Sequence, residues 1–264
     1  MTLGFIGTGN MGGALVRAAA RNPDNEILIT NRSVAKAEAL SKETGAKVTD
    51  KKDIIKKADF IFLGVKPQML DNLAGTISDS LKERGSGFTV VSMLAGTAIE
   101  EIREKLGGKY AVIRIMPNTP VSVGEGMILY SCSENVDEIS ENTFLSAMKS
   151  SGKFVKIDEK LIDAGSSVSG CGPAFAAVFM EALADGGVAC GLPREKALEM
   201  AAQMMLGTAK LYLEGGKHPG IIKDEVCSPG GTTIQGVRAL EKGAFRSSAI
   251  EAVIAAYKKN SEVK

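Results

Sequence analysis

The sequence has no tryptophan, one histidine and four cysteines. Cys132, Cys171, Cys190 and Cys227 stand no closer than 19 residues apart, which excludes a CxxC redox pair or zinc knuckle. They read as reduced thiols, and with His218 alone no metal has a credible ligand set. An excess of one charge is also missing: 32 basic and 31 acidic residues leave +1. Polyanion binders normally carry a basic excess, so no nucleic-acid partner is expected. No leader precedes the apolar run at 3–6, and the longest apolar stretch, 171–192, is broken by Glu181 and Asp185. The expectation is a cytoplasmic protein with neither signal peptide nor membrane span.

What is present suits a folded chain of about two domains, with 44% hydrophobic and 24% charged residues in 264. Strand-like apolar runs fall at 3–6, 26–30, 47–49, 59–64, 88–92 and 112–115, with two more at 127–130 and 153–157. Helical patterns separate them at 10–21, 34–44, 53–57, 69–84, 99–106 and 136–148. Strand-helix alternation with short connections predicts a doubly wound parallel sheet. Beyond 158 only helical patterns remain, at 161–168, 173–190, 193–213, 234–242 and 245–260. Gly191 and Pro193 punctuate the two longest. These helices are rich in Ala, Gly and Met, and so apolar a small domain needs a partner subunit to cover it.

Gly7-Thr8-Gly9-Asn10-Met11-Gly12 is a G-x-G-x-x-G motif between the first strand and the first helix. Gly7 permits the turn, Gly9 lets backbone approach a pyrophosphate, and Gly12 lets helix and strand pack closely. The pyrophosphate meets free N–H groups at the positive end of the helix. The second strand ends in Asn31-Arg32-Ser33, with no acid to accept from a ribose 2′-OH. Arg32 offers a fork to a 2′-phosphate and Asn31 and Ser33 neutral donors, so NADP(H) is preferred and NAD(H) stays open. Val65-Lys66-Pro67 follows the fourth strand, Met93 and Ala95 follow the fifth, and Asn118 follows the sixth inside a stiff Pro-Asn-Thr-Pro loop. Ligands in open sheets sit beyond these strand ends.

Ser228-Pro229-Gly230-Gly231-Thr232-Thr233 precedes the helix at 234–242 and offers backbone N–H groups and hydroxyls without a cation, a cradle suited to a small carboxylate. His218 reads as a surface turn or a helix-end contact rather than a catalytic base. With no evident base, an imine substrate fits better than an alcohol.

Taken together, these motifs resemble the pyrroline-5-carboxylate reductase family over essentially the whole chain. Further carriers are Met116-Pro117-Asn118-Thr119-Pro120, Ser169-Gly170-Cys171-Gly172-Pro173, Ala184-Asp185-Gly186-Gly187 and above all the stretch from Lys223 to Ile234. The resemblance implies NAD(P)H-dependent reduction of 1-pyrroline-5-carboxylate to L-proline, the last step of proline biosynthesis. It implies an N-terminal Rossmann-type NAD(P)-binding domain at 1–157 and an all-helical dimerisation and substrate-binding domain at 158–264. The cofactor would be held by the glycine loop, Arg32, Ser33, Val65, Lys66 and Pro67, with Met93 and Ala95 along its path. Gly231, Thr232 and Thr233 would take the substrate carboxylate, Thr233 would act near the ring nitrogen, and Glu159 would stand close by. A homodimer is the implied minimal unit, and rings of dimers up to a decamer occur in the family. Two positions depart from the family pattern: Cys171 stands where Ser is common, and Lys51, which could add a cation to the 2′-phosphate site, where Asn is frequent. Two rivals are a non-catalytic NADP-binding regulator and a β-hydroxyacid-dehydrogenase-like oxidoreductase. The latter wants a catalytic Lys on a second-domain helix, and 166–191 contains none.

Overall fold

The computed structural model describes residues 1–262. They fall into two compact units, 1–170 with the chain end from 257, and 171–256. In unit 1 the strands are β1 (Thr2–Ile6), β2 (Glu26–Thr30), β3 (Lys47–Val48), β4 (Phe60–Leu63), β5 (Thr89–Ser92), β6 (Ala111–Met116), β7 (Gly126–Cys132) and β8 (Gly152–Lys156). They form one eight-stranded sheet in the order β3-β2-β1-β4-β5-β6-β7-β8. Its helices are α1 (Asn10–Ala20), α2 (Val34–Thr44), α3 (Lys51–Lys57), α4 (Leu70–Arg84), α5 (Ile99–Leu106), α6 (Glu138–Ala147) and α7 (Ile162–Ser169).

Both faces of the sheet are covered, and the period-two alternation of the strands feeds two cores. Along β4, Phe60 and Phe62 enter one core with Phe5, Ile113 and Phe144, while Ile61 and Leu63 enter the other with Ile54 and Ile77. Phe5 and Phe62 stack with ring centroids 4.1 Å apart. Burying each such side chain contributes about 1.5–3 kcal/mol. The switch from β1 to β4 as neighbours places the ends of both strands, and the turns that follow them, at one crevice.

Three features differ from the sequence reading. β7 runs antiparallel to β6, so the sheet is mixed rather than parallel throughout. The connection 117–125 is too short for the crossover of about a dozen residues that a parallel pair needs. Segment 158–170, which the sequence reading assigns to the second domain, makes its contacts within unit 1. It packs on β7 so closely that a Cβ at Gly165 would lie 2.5 Å from Leu129 Cδ1. Third, 219–226 is helical, a stretch for which the sequence reading names no helix.

Unit 2 contains α8 (Gly172–Ala189), α9 (Arg194–Gly215), α10 (Pro219–Val226), α11 (Thr232–Lys242) and most of α12 (Phe245–Glu262). Gly191, at φ +96°, ends α8 in a backbone conformation that other residues rarely adopt. Pro219 starts α10 where its missing N–H costs nothing, and His218 Nδ1 accepts from Gly220 N at 3.1 Å. His218 is thus a helix-end contact. Small residues bring α8 and α9 together: a Cβ at Gly187 would sit 3.2 Å from the Ala197 Cβ. Beyond that seam unit 2 buries little, and Val178, Met200 and Leu213 are each more than half exposed.

Candidate active site

The turn after β1 is shaped by two backbone contacts and one deliberate gap. Gly7 has φ +99°, and a Cβ there would meet Gly64 O at 2.5 Å. A Cβ at Gly12 would meet Gly7 O at 2.5 Å. Both glycines are required by packing alone. Gly9 is different: its φ of −68° suits any residue, and a Cβ there would meet nothing within 4 Å. It is the N-cap of α1 and supplies no side-chain cap, so the first-turn N–H groups of Asn10, Met11 and Gly12 have no intrahelical acceptor. Thr8 is buried, and its Oγ1 has no partner. An open cradle, uncapped N–H groups and an orphaned hydroxyl fit a dinucleotide pyrophosphate.

At the end of β2, Asn31 is half-buried while Arg32 and Ser33 are exposed. Among the described residues Arg32 has no ion-pair or hydrogen-bond partner, so its guanidinium is available to a phosphate. Ser33 is the N-cap of α2 and makes no capping bond with its side chain. Lys51, the first residue of α3, donates from Nζ to Thr76 Oγ1 at 3.0 Å. It stands on the same sheet edge with its amine already engaged by α4.

Beyond β4, β5 and β6 a cavity of about 630 Å³ opens. Lys66, Pro67 and Gln68 line one side, Ala95, Gly96, Thr97, Ala98 and Glu101 another, and Met116, Asp163, Ser166 and Asn260 the rest. Val65 and Met93 lie half-buried beneath, packed against the two cores. The expected residues Lys66, Pro67 and Ala95 therefore share one cavity. Sequence reasoning misses Asp163 and Ser166, because nothing in their pattern shows that α7 folds back over the sheet.

Two expected ligand contacts are engaged elsewhere. Asn118, expected beside the nicotinamide, is 7% exposed and bonded at both ends of its amide. Nδ2 donates to Ser169 O and Oδ1 accepts from Met127 N, each at 2.9 Å. It fastens the Pro-Asn-Thr-Pro loop to β7 and α7. Glu159, expected at the substrate, accepts on Oε1 from Ile99 N at 2.7 Å and from Arg114 Nη1 at 3.2 Å. Its carboxylate is an internal brace of unit 1.

In unit 2, Gly230 takes φ +69° and Gly231 N donates to Ser228 O at 3.0 Å, closing a turn into α11. Gly231 is the N-cap and makes no side-chain cap; a Cβ on it would strike Ser228 Oγ at 2.3 Å. Ser228, Gly230, Thr232 and Thr233 are exposed. The turn presents free first-turn N–H groups and hydroxyls with no cation, as a small carboxylate requires.

Comparison with known proteins finds matches over both units. A family model described as pyrroline-5-carboxylate reductase dimerisation matches residues 159–263, and one described as NADP oxidoreductase, coenzyme F420-dependent, matches residues 2–96. The pyrroline-5-carboxylate reductase of Glycine max is 38% identical over 266 residues, covering 99% of this chain and 96% of the relative. A pyrroline-5-carboxylate reductase structure from Coxiella burnetii superposes with a TM-score of 0.91 at 33% identity, covering 99% and 98% of the two chains. The Plasmodium falciparum pyrroline carboxylate reductase, solved with NADP bound, superposes with a TM-score of 0.84 at 30% identity over 98% and 97%. Matches at this level span both units, and the chain belongs to the pyrroline-5-carboxylate reductase family.

Proposed function

We infer that this chain is a pyrroline-5-carboxylate reductase, reducing the imine of 1-pyrroline-5-carboxylate to the amine of L-proline. The observation that carries the reading is the Gly9 entry to α1, open to a Cβ and uncapped, in a member of this family that matches 96% of the length of its relative. When bound, the reduced nicotinamide supplies a hydride to the imine carbon. The chain's own groups do the rest. The first-turn N–H groups of α1 hold the pyrophosphate, and the Ser228–Thr233 turn holds the substrate carboxylate. Rate comes from holding the reacting groups in place more than from strong acid or base, because a protonated imine is already electrophilic. Thr233, with its exposed hydroxyl, is the proposed donor or relay to the ring nitrogen.

NADPH is the proposed preference, supported by the unpartnered Arg32 and by the absence of an acid at the end of β2. A homodimer is the proposed minimal unit, supported by the dimerisation match and the uncovered apolar helices. A decamer of such dimers rests on the family resemblance. The proposed compartment is the cytoplasm, supported by four unpaired cysteines. Neither nucleic acid nor membrane is proposed as a partner. The deciding assay follows the absorbance of NADPH, and in parallel of NADH, on adding pyrroline-5-carboxylate. Steady consumption of the reduced cofactor with formation of proline is the expected result, and no turnover with either cofactor would refute the assignment.

A further inference from the structure

Arg114 lies on β6, two residues before the strand ends, and is only 4% exposed. Its Nη1 donates to Glu159 Oε1 at 3.2 Å and its Nη2 to Asp163 Oδ1 at 3.3 Å, while Nε is buried without a partner. The same Glu159 oxygen accepts the Ile99 N–H at 2.7 Å. It thereby caps α5, whose own N-cap residue, Ala98, has no side chain able to do so. An ion triad of this kind, with Arg114 buried and both carboxylates half-buried, is a weak stabiliser, since desolvation of the guanidinium offsets most of the attraction. What it supplies here is a fixed geometry between three parts of the chain. They are the turn 95–98 that leads into α5, the start of α7, and the end of β6. Each lines the cavity beyond β4, β5 and β6, through Ala95 to Ala98, Asp163 and Met116 respectively.

We propose that Arg114 is a positioning residue for the reduction: through Glu159 and Asp163 it locks the turn 95–98 and α7 to the end of β6, and so sets the shape of the cavity. Of the three only Asp163 lines the cavity itself, and Arg114 and Glu159 act through its walls. This rests on the reductase reading given above. It also gives Glu159 a definite task, as the link between α5 and Arg114.

The test uses R114K, which keeps the charge but loses the two-pronged fork, R114M, which loses the charge at similar length, and E159Q, which keeps an acceptor for Ile99 N–H. For each, kcat and KM for pyrroline-5-carboxylate, the NADPH dissociation constant by fluorescence, the melting temperature, and amide exchange over 93–102 are measured. The expected result for R114K and R114M is a kcat lowered ~10- to 100-fold, the cost of a misplaced wall. The NADPH dissociation constant changes far less, because pyrophosphate and ribose contacts lie elsewhere, and segment 93–102 exchanges faster. E159Q falls between R114K and the unaltered chain. Unchanged kcat and unchanged exchange in both Arg114 variants would overturn the proposal. So would a kcat loss that only tracks the fraction of unfolded protein. Should the Arg114 variants fail to fold, E159Q decides by the same kcat and exchange readouts. Should the unaltered chain not turn over the imine, the reductase reading fails, and amide exchange over 93–102 still judges the brace: faster in R114K supports it, equal rejects it.

Discussion

Gly9 and Gly12 look alike in a sequence motif but answer to different forces. A Cβ at Gly12 collides with Gly7 O at 2.5 Å, whereas one at Gly9 meets no atom of the chain. Gly12→Ala is therefore expected to destabilise the fold itself, by about 1–3 kcal/mol, the usual cost of overpacking. Gly9→Ala should melt as the unaltered chain does without cofactor, yet lose most of the melting-temperature rise that NADPH confers. Melting curves with and without NADPH check both. Arg32 carries the next prediction. Exposed, and without a partner among the described residues, it is the proposed contact to a 2′-phosphate, so Arg32→Ala should raise KM for NADPH by ~10-fold, about 1.4 kcal/mol. KM for NADH should barely move. Steady-state kinetics with the two cofactors measure the ratio, and an unchanged preference would remove Arg32 from the site.

The turn into α11 is a helix start without a capping side chain, and its free N–H groups are the proposed anchor of the substrate carboxylate. Thr233→Ala removes one hydroxyl and leaves that backbone intact. It is expected to raise KM for pyrroline-5-carboxylate and lower kcat while NADPH affinity stays near normal, checked by kinetics beside a fluorescence titration. At the far edge of the sheet a different set of contacts joins α6 to β7 and β8. Glu141 accepts from Tyr130 Oη at 2.8 Å and from Lys156 Nζ at 2.6 Å. Burial pushes the Glu141 carboxyl up, but the bonds from Lys156 and Tyr130 outweigh it and hold the group below its ordinary value. A depressed carboxyl stabilises the fold above the ordinary glutamate pKa, about 4.3, and loses that contribution as pH falls through its folded value. Glu141→Gln should accordingly lower stability at neutral pH and flatten its decline in acid, as melting temperatures across pH 3–7 (about the carboxylate range) will show. Burial also pushes the neighbouring Cys132 thiol up to about 11, so it stays protonated and inert at neutral pH.

Unit 2 as a single chain is unfinished. Within the stretch Glu159–Ala189 an 18-residue window reaches a mean hydropathy of 1.3, enough by length and composition for a membrane span. The stretch is, however, broken between α7 and α8 at Gly170 and Cys171, and the dimerisation match spans all of it. A second copy is thus the covering that the family points to. Light scattering is expected to give at least twice the 27.7 kDa chain mass without detergent. A charge placed on the uncovered surface, as in Met200→Glu, should lower that mass and the melting temperature together, because burying an unpaired charge costs several kcal/mol.

Local chemistry was enough to read the strand-helix alternation of unit 1, the glycine turn after β1, the glycine-rich start of α11 and the all-helical half. Each rests on residues adjacent in the chain, where periodicity, backbone freedom and capping act over one or two turns. The apolar runs of β1, β2, β4, β5 and β6 are legible because both faces of each strand are largely buried, whereas both residues of β3 are exposed. Arg32 could be singled out because the absence of an acid beside it is itself a local fact. What adjacency cannot reach was settled by packing. The reversal of β7 follows from the length of one connection and the edge left open beside β6. The engagement of Asn118 and Glu159 depends on partners 51 and 60 residues away, Ser169 and Ile99. The return of α7 onto β7 depends on Gly165 meeting Leu129, a close approach that shows only once both elements are folded. Which polar groups are free for a ligand and which are consumed by the fold is decided by burial and by who stands opposite, and those are properties of the assembled molecule.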